Sequence, residues 1–348
     1  NETVHWERVW ASARKNTLEV SEAIFREVLG DTLLTGANRV DALCSFTTGG
    51  DLQFTNNQTL AVSGPLSVNG GLGSTNLVTT GTGSDLVLGA DVQANQVTLD
   101  ASHDIELAAG TITANGASLT AANDITQTAG VLDVTTLEGT AGHAVALDGS
   151  NRVDTLGEFT APAFLLVNAQ GLQVAGNLDT DDVSLTTTAG GLQIDNALGA
   201  DTITLDSAVD LALSAALDAT TVTLRSGGDI TQTAAGLITA GTLTGESTGN
   251  TTLDQANAVD VLGDFTAANF SLTNAQALAV NGDLAVGGGA GDIRLETTAG
   301  ALTVNSNLTG SAIALGSAGN LGLTRAVHGD TVELNSGGDI TQTAAGVV

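Results

Sequence analysis

The most regular feature of the chain is a triplet in which two apolar residues flank one polar or small residue. Glycine, asparagine, aspartate and serine separate successive triplets. Alternation with a period of two is typical of short strands that are buried on one face. The pattern therefore predicts many short strands joined by tight turns, among them Leu172-Gln-Val174, Val183-Ser-Leu185, Ile203-Thr-Leu205 and Val222-Thr-Leu224.

The triplets return at a nearly fixed spacing. Leu172, Leu192, Leu211 and Ile230 are separated by 20, 19 and 19 residues, and only Ile230-Thr-Gln232 ends in a polar residue. This spacing is typical of one turn of a β-solenoid, and parallel crossover connections are right-handed in nearly all cases. We predict an all-β fold, a right-handed parallel β-helix with coils of roughly 19–22 residues and roughly 16 coils in all.

Three longer markers repeat in the same order, at spacings of 105 to 113 residues. They predict that residues 31–348 form one β-solenoid with three superrepeats, the last of which is incomplete. The markers are Asn-x-(Val)-Asp-x-Leu at Asn38, Asn151 and Asn257, Asn-x-Gln-x-Leu at Asn56, Asn168 and Asn274, and Ile-Thr-Gln-Thr-Ala at Ile125, Ile230 and Ile340.

Residues 1–30 differ from the repeats. They contain both tryptophans, Trp6 and Trp10, at helical spacing, and Asn16 followed by Glu19 has the form of a capping box. We predict a short amphipathic α-helical cap over the first coil, because a solenoid needs its terminal edge covered. The alternative is a helix that docks onto a partner. We also expect the natural chain to continue beyond Val348 and the rods to self-associate through their open ends.

Charge and composition exclude several classes of partner. The chain has 9 basic and 38 acidic residues, a net charge of −29, which repels nucleic acid and anionic lipid. No run of 18 apolar residues is present, so we expect no membrane insertion. A single cysteine, Cys44, excludes an internal disulfide, and we predict that it fills space without acting as a reactive thiol.

The run Asn-x-Val-Asp-x-Leu-Gly-(Asp or Glu)-Phe-Thr-Ala resembles the central repeats of filamentous-haemagglutinin-like exoproteins, as does Gly-Gly-Asp-Ile-Thr-Gln-Thr at Gly227 and Gly337. The resemblance covers roughly residues 31–348. It implies two-partner secretion through an outer-membrane transporter and a secreted or cell-surface location. It also implies a non-catalytic adhesin or stalk that displays a distal domain, with a host-cell or surface glycan or protein receptor as its partner.

Two pairs of aspartates are candidates for acid–base catalysis. Asp181 and Asp201 precede their triplets by the same step, as do Asp210 and Asp229, so each pair is expected on neighbouring coils. Polysaccharide-cleaving enzymes use such paired carboxylates, but residues 31–348 contain no Trp or Tyr to stack on sugars. We therefore expect solvated turn carboxylates and no enzyme. A carbohydrate-active β-helix enzyme stays the alternative.

The other side chains that could bind a ligand or act in catalysis lack neighbouring partner residues in the sequence, so we assign no catalytic, cofactor-binding or metal-binding residue. A metal site needs clustered donors, and Gly288-Gly-Ala-Gly-Asp292 lacks one residue of a calcium-binding nonapeptide. Thr-x-Thr motifs stacked on two coils are too few for a flat ice-binding face, so we do not favour that function. An ice- or cation-binding solenoid stays a further alternative. The residues concerned are His5, His103, His143, His328, Thr111, Thr202, Thr221 and the glycosylation sequons at Asn57, Asn250, Asn269 and Asn307.

Overall fold

The computed structural model describes residues 19–23 and 28–348 of the chain. The predicted fold class is confirmed: the protein is an all-β, right-handed parallel β-solenoid with about 16 coils. The coils belong to two compact units, Asn1–Ala169 and Gln170–Val348, called unit 1 and unit 2 below. Among the described residues, no helix is long and apolar enough to cross a membrane.

The described part of unit 1 contains sixteen strands and one short 3-10 turn, Asn69–Gly71. The strands are β1 (Glu19–Ala23), β2 (Thr32–Leu43), β3 (Phe46–Thr48), β4 (Leu52–Asn56), β5 (Leu60–Val62), β6 (Leu66–Val68), β7 (Ser74–Thr79), β8 (Leu86–Leu88), β9 (Val92–Gln93), β10 (Gln96–Ala101), β11 (Ile105–Leu107), β12 (Thr111–Ala121), β13 (Ile125–Gln127), β14 (Val131–Ala141), β15 (Ala144–Thr160) and β16 (Ala163–Asn168).

Unit 2 has the same design, with a 3-10 turn at Gly287–Gly289. Its strands are β17 (Leu172–Val174), β18 (Leu178–Asp179), β19 (Asp182–Thr187), β20 (Leu192–Ile194), β21 (Leu198–Ser207), β22 (Leu211–Leu213), β23 (Leu217–Ser226), β24 (Ile230–Gln232), β25 (Ile238–Ser247), β26 (Thr251–Ala267), β27 (Phe270–Asn274), β28 (Leu278–Val280), β29 (Leu284–Val286), β30 (Ile293–Thr297), β31 (Leu302–Val304), β32 (Leu308–Thr309), β33 (Ala312–Ser317), β34 (Leu321–Leu323), β35 (Val327–His328), β36 (Thr331–Ser336) and β37 (Ile340–Gln342).

Each strand pairs in parallel with the strand one coil further along. In unit 2, Leu172, Leu192, Leu211 and Ile230 are direct partners in successive coils, as the sequence period predicts. Except in β36 and β37, the outer apolar residues of the triplets point inward and are almost fully buried, so each coil adds a thin aliphatic layer to the core. Burial of each such side chain contributes about 1.5–3 kcal/mol, and the stack holds the coils in register.

The three sequence markers meet in one buried amide network. In unit 1, Gln127 Nε2 donates to Asn151 Oδ1 at 2.8 Å, and Asn151 Nδ2 donates back to Gln127 Oε1 at 2.9 Å. The Leu132 N–H also donates to Asn151 Oδ1, at 3.0 Å. One coil on, Asn168 binds both the N–H and the carbonyl of Val153 at 2.8 and 2.9 Å. The superrepeat therefore marks the recurrence of this network.

Unit 2 repeats the network residue by residue. Gln232 Nε2 donates to Asn257 Oδ1 at 2.5 Å, and the Ile238 N–H donates to the same oxygen at 2.9 Å. Asn274 then binds the N–H and the carbonyl of Val259 at 2.8 and 2.9 Å. Gln232 and Gln127 each end a triplet with a polar residue, and in both units that amide makes the contact with the buried asparagine.

The described N-terminal residues do not form the predicted helix. Glu19–Ala23 is strand β1, which pairs in parallel with β2 through partners such as Glu19 and Arg39. Val28 forms a parallel bridge with Thr48. The helix prediction is therefore wrong for residues 19–23. The rest of the predicted cap, including Trp6 and Trp10, lies outside the described residues, and the cap stays a prediction.

Candidate functional site

Aspartates in unit 1 form a ladder along one corner of the solenoid, immediately before the column of strands β8, β11, β13 and β15. The Asp104 N–H donates to Asp85 Oδ1 at 3.3 Å, and the Asp124 N–H donates to Asp104 Oδ1 at 3.0 Å. The Ala144 N–H donates to Asp124 Oδ1 at 2.9 Å. Each carboxylate of this unit-1 ladder thus satisfies a backbone donor of the next coil, where a turn leaves it without a strand partner.

Unit 2 has an equivalent ladder before strands β22, β24, β26, β27 and β30. The Asp229 N–H donates to Asp210 Oδ1 at 2.9 Å, and the Asn250 N–H donates to Asp229 Oδ1 at 2.7 Å. Asn269 Nδ2 then donates to Asn250 Oδ1 at 2.7 Å, and the Asp292 N–H donates to Asn269 Oδ1 at 2.8 Å. The predicted position of Asp210 and Asp229 on neighbouring coils is confirmed, and both residues belong to this unit-2 ladder.

The other predicted pair, Asp181 and Asp201, also lies on neighbouring coils, because the Asp201 N–H donates to the Asp181 carbonyl at 2.7 Å. An open depression of about 500 Å³ is lined by residues between positions 199 and 241, and neither Asp181 nor Asp201 is among them. Its lining offers one carboxylate, whereas glycoside hydrolysis needs two that face each other. The lining residues are Gly199, Ala200, Asp218, Ala219, Thr220 and Gly241.

One imidazole joins the unit-1 ladder. His103 Nδ1 lies 2.7 Å from Asp85 Oδ1 and 3.1 Å from Asp104 Oδ2, and all three side chains are partly exposed. The hydrogen bond to Asp85 raises the pKa of His103, and partial burial opposes this effect. The charges of Asp104, Asp85 and Asp124 act in the same direction as the hydrogen bond, so the pKa is raised overall. Partial burial opposes ionisation of Asp104, but the Asp124 N–H, the Asn123 amide and His103 together lower its pKa.

This arrangement has the donor set of a metal site. One ligand atom each from Asp85, His103 and Asp104 lies within 4.8 Å of the others. Asp104 Oδ1 is occupied by Asn123 Nδ2 at 2.7 Å and by the Asp124 N–H at 3.0 Å, so the second oxygen, Oδ2, is the one that faces the imidazole. We call these three residues the Asp–His–Asp cluster.

No clustered donors were expected around the histidines, but the structure places His103 beside Asp85 and Asp104. His143 lies on the same corner two coils further on, since the Asn123 N–H donates to the His103 carbonyl and the His143 N–H to the Asn123 carbonyl, both at 3.0 Å. The spacing 103, 123, 143 is one coil per step and was visible in the sequence. His328 lies in strand β35 of unit 2, and His5 lies outside the described residues.

The Thr-x-Thr motifs extend over one more coil than the sequence analysis counted. In unit 2, the strand register aligns the motifs of β21, β23 and β25 on three successive coils, and Thr223 Oγ1 lies 3.2 Å from Thr244 Oγ1. Thr111 is elsewhere, in β12 of unit 1. The aligned side chains, all half-buried on the outer surface, are Thr202, Thr204, Thr221, Thr223, Thr242 and Thr244.

The remaining candidates have structural settings. Gly287–Gly289 forms a turn with φ values of 53, 63 and 93°, which glycine adopts readily. Asp292 Oδ1 accepts the Ala312 N–H at 3.2 Å and so extends the unit-2 ladder. The Cys44 thiol is half-buried, with Sγ 3.6 Å from Ser63 Oγ.

Fold and ladders together define a parallel β-solenoid repeat protein. Comparison of the chain with protein-family models, with curated proteins and with solved structures finds no match in any of the three.

Proposed function

We propose that this chain is a non-catalytic, extracellular stalk of a bacterial exoprotein of the filamentous-haemagglutinin type. The observation that carries the proposal is the use of the corner carboxylates. Of the four aspartates in the predicted pairs, Asp210 and Asp229 accept backbone N–H groups of the next coil. The aspartates of the unit-1 ladder do the same. The carboxylates at these corners hold neighbouring coils together through hydrogen bonds, which is the role expected of them in a spacer.

Two further features support a stalk over an enzyme. The depression in unit 2 is open and lined mainly by glycine and alanine, which gives a substrate few directional contacts. The buried amide network recurs with the superrepeat, and buried polar networks specify one arrangement of their partners. A chain built from such modules can be lengthened by repetition without a change in its cross-section.

Attachment is the second part of the proposal. The stalk carries an adhesive surface, or a distal domain, to a glycan or protein receptor on a host cell or other surface, after export through an outer-membrane transporter. The net charge of −29 keeps a strand-rich chain soluble and disfavours indiscriminate binding to anionic lipid.

Two measurements test the proposal. Antibodies against the chain should label intact cells of the bacterium that produces it, and labelling only after permeabilisation would contradict an extracellular stalk. Beads coated with the chain should bind cultured epithelial cells saturably, and soluble chain should compete. Albumin-coated beads are the control. If the beads do not bind, the chain has no adhesive surface and the proposal is reduced to a stalk that displays a distal domain. In that case a chain shortened by one superrepeat should still be labelled at the cell surface.

The enzyme alternative has its own test. Release of reducing ends from neutral and acidic polysaccharides should not exceed that of a heat-denatured sample. Turnover that Asp181→Ala or Asp201→Ala abolishes would overturn the non-catalytic assignment.

Ice binding is a second candidate, because the threonine array covers three coils. Spacing of about 4.8 Å between coils gives the hydroxyl groups a regular, flat arrangement. Thermal hysteresis should then be measurable and should fall in Thr223→Val, which keeps the β-branched shape and removes one hydroxyl. Thr231→Val, on a different strand of unit 2, is the control.

A further inference from the structure

We propose that Asp85, His103 and Asp104 bind one divalent transition-metal ion of the Zn²⁺ class, which clamps two coils of unit 1 together. The site is independent of the proposed stalk function, since its ligands lie on a corner of the solenoid and require no receptor. Asp85 comes from one coil, and His103 and Asp104 come from the next, so a bound ion bridges the coils.

The three donors converge before any ion is added. His103 Nδ1 lies 2.7 Å from Asp85 Oδ1 and 3.1 Å from Asp104 Oδ2. Tetrahedral ligands with metal bonds of about 2.0–2.2 Å lie about 3.3–3.6 Å apart, so binding needs these contacts to widen by less than about 1 Å. Binding replaces the imidazole proton at Nδ1 by the metal, and the proton is released to solvent.

Hydrogen bonds around the ligands fix their orientation. Asp104 Oδ1 accepts from Asn123 Nδ2 and from the Asp124 N–H, which leaves Oδ2 directed toward the imidazole. The Asp104 N–H donates to Asp85 Oδ1 at 3.3 Å and ties the two coils at the ligands themselves. Such outer contacts orient ligating carboxylates and raise metal affinity.

The metal ligands lie where an irregular, long coil meets a regular one. The coil that ends at Asp85 is long: Leu60 pairs with Leu86, and Asp85 binds Thr59 across 26 positions. The following step, from Asp85 to Asp104, takes 19. Three of the extra residues lie just before Asp85, because the separation of partners grows from 23 at Asn56–Thr79 to 26 at Leu60–Leu86. They form a loop that includes Gly83, whose φ is +67°. An ion at the base of this loop cross-links it to the regular coil that follows.

Ligand chemistry selects the kind of ion. Imidazole nitrogen with carboxylate oxygen suits Zn²⁺, Co²⁺ and Ni²⁺, whereas Ca²⁺ and Mg²⁺ prefer oxygen alone. Three protein ligands leave at least one position for water. Asp124 adds a further negative charge one coil away, and the chain as a whole carries −29, so the electrostatic potential favours a cation.

Titration of the full chain with ZnCl₂, after removal of metal by EDTA and dialysis, tests the site by calorimetry. We expect one saturable Zn²⁺ site per chain. His103→Ala and Asp104→Asn should each weaken it by roughly 10–100-fold. Asp104→Asn is the sharper variant, because its Oδ1 keeps both ladder hydrogen bonds while the ligating oxygen becomes an amide nitrogen.

Matched controls come from unit 2. His328→Ala removes an exposed imidazole elsewhere, and Asp229→Asn makes the same exchange in the unit-2 ladder. Both should bind Zn²⁺ as the unaltered chain does. Circular dichroism should show the same β-structure in all four variants, so that lost binding reflects lost ligands.

A second readout identifies the nitrogen. Long-range ¹H–¹⁵N spectra should show that Zn²⁺ shifts His103 Nδ1 far more than Nε2, with no such change at His328. Three results would overturn the site: no saturable Zn²⁺ binding, Zn²⁺ binding that both His103→Ala and Asp104→Asn leave intact, or Ca²⁺ binding of equal affinity that His103→Ala does not affect. The last would indicate only an acidic patch.

Discussion

The corner ladders of the two units use the same backbone hydrogen bonds, each of which joins two neighbouring coils and is called a rung below. The units differ at the residue that precedes the aspartate or asparagine of some rungs. In unit 1, His103 precedes Asp104 and Asn123 precedes Asp124. In unit 2, Gly228 precedes Asp229 and Gly249 precedes Asn250. A Cβ on Gly228 would lie 2.2 Å from Asp210 Oδ1, so the unit-2 corner is closed tightly around glycine. The ladder hydrogen bonds thus hold the coils together in both units, whereas the residue before the aspartate determines whether a side chain such as the His103 imidazole also lies beside the carboxylates.

Inside the solenoid the two units are alike. Asn151 and Asn257 each accept from a glutamine amide of the previous coil and from one backbone N–H, and each is fully buried. The two units therefore share this buried network and differ at the outer corner, which leaves room for His103 in unit 1 and is closed around Gly228 and Gly249 in unit 2. The four predictions below sharpen or break this contrast between a common interior and a variable corner.

The largest effect should follow from removal of a buried amide. Asn151→Ala and Asn257→Ala each leave a buried glutamine amide and a backbone N–H without their acceptor, at a cost of about 1–3 kcal/mol for each orphaned group. Both should lower the free energy of unfolding by a similar amount, measured from urea denaturation. Asn57→Ala, on the exposed surface, should be close to neutral. Unequal losses would show that the interiors differ after all.

A smaller loss should come from transplanting the unit-1 corner into unit 2. In Gly249→His, the new Cβ would lie 2.2 Å from Asp229 Oδ1 and 2.9 Å from the Gly228 carbonyl carbon. Overpacking of this kind costs about 1–3 kcal/mol. The reverse exchange, His103→Gly, removes side chain from an open corner and should cost less than about 1 kcal/mol. Thermal unfolding of both variants decides; equal tolerance would refute the distinction between closed and open corners.

The rungs themselves should respond to the loss of the acceptor oxygen and not to the loss of charge. Asp229→Ala removes the acceptor of the Asn250 N–H and should cost about 1–2 kcal/mol. Asp229→Asn keeps an acceptor, as Asn269 does in the same ladder, and should stay within about 0.5 kcal/mol. Urea midpoints of the two variants provide the measurement. If both are silent, the ladder contributes nothing to stability.

The smallest effect concerns the protonation of His103 in metal-free protein. Its pKa is raised, chiefly by Asp85, so its contribution to stability is complete below the unfolded pKa of about 6.5 and is lost as the pH rises through the folded pKa. NMR titration in EDTA should show that Asp85→Asn lowers the pKa of His103. The stability difference between the unaltered chain and Asp85→Asn should shrink toward alkaline pH, and a constant difference would contradict this assignment.

Much of the fold follows from local pattern. Alternation of apolar and polar residues with a period of two identified the strands, and the recurrence of Leu172, Leu192, Leu211 and Ile230 gave the coil length and the partners. The same period placed Asp210 beside Asp229. The capping-box pattern of Asn16 and Glu19 misled, because Glu19–Ala23 forms a strand that satisfies its backbone by pairing with β2, regardless of intrinsic helix preference.

The sequence by itself determined the fold class, the coil period and the superrepeat, since these depend on burial repeated every 19–20 residues. Only the tertiary structure revealed that Gln127, Asn151 and Asn168 serve one network, that a third coil joins the threonine array, and that His103 meets Asp85 and Asp104. The physical reason is that partners on neighbouring coils are separated by 17 to 26 residues, so the alignment of corners depends on every intervening turn.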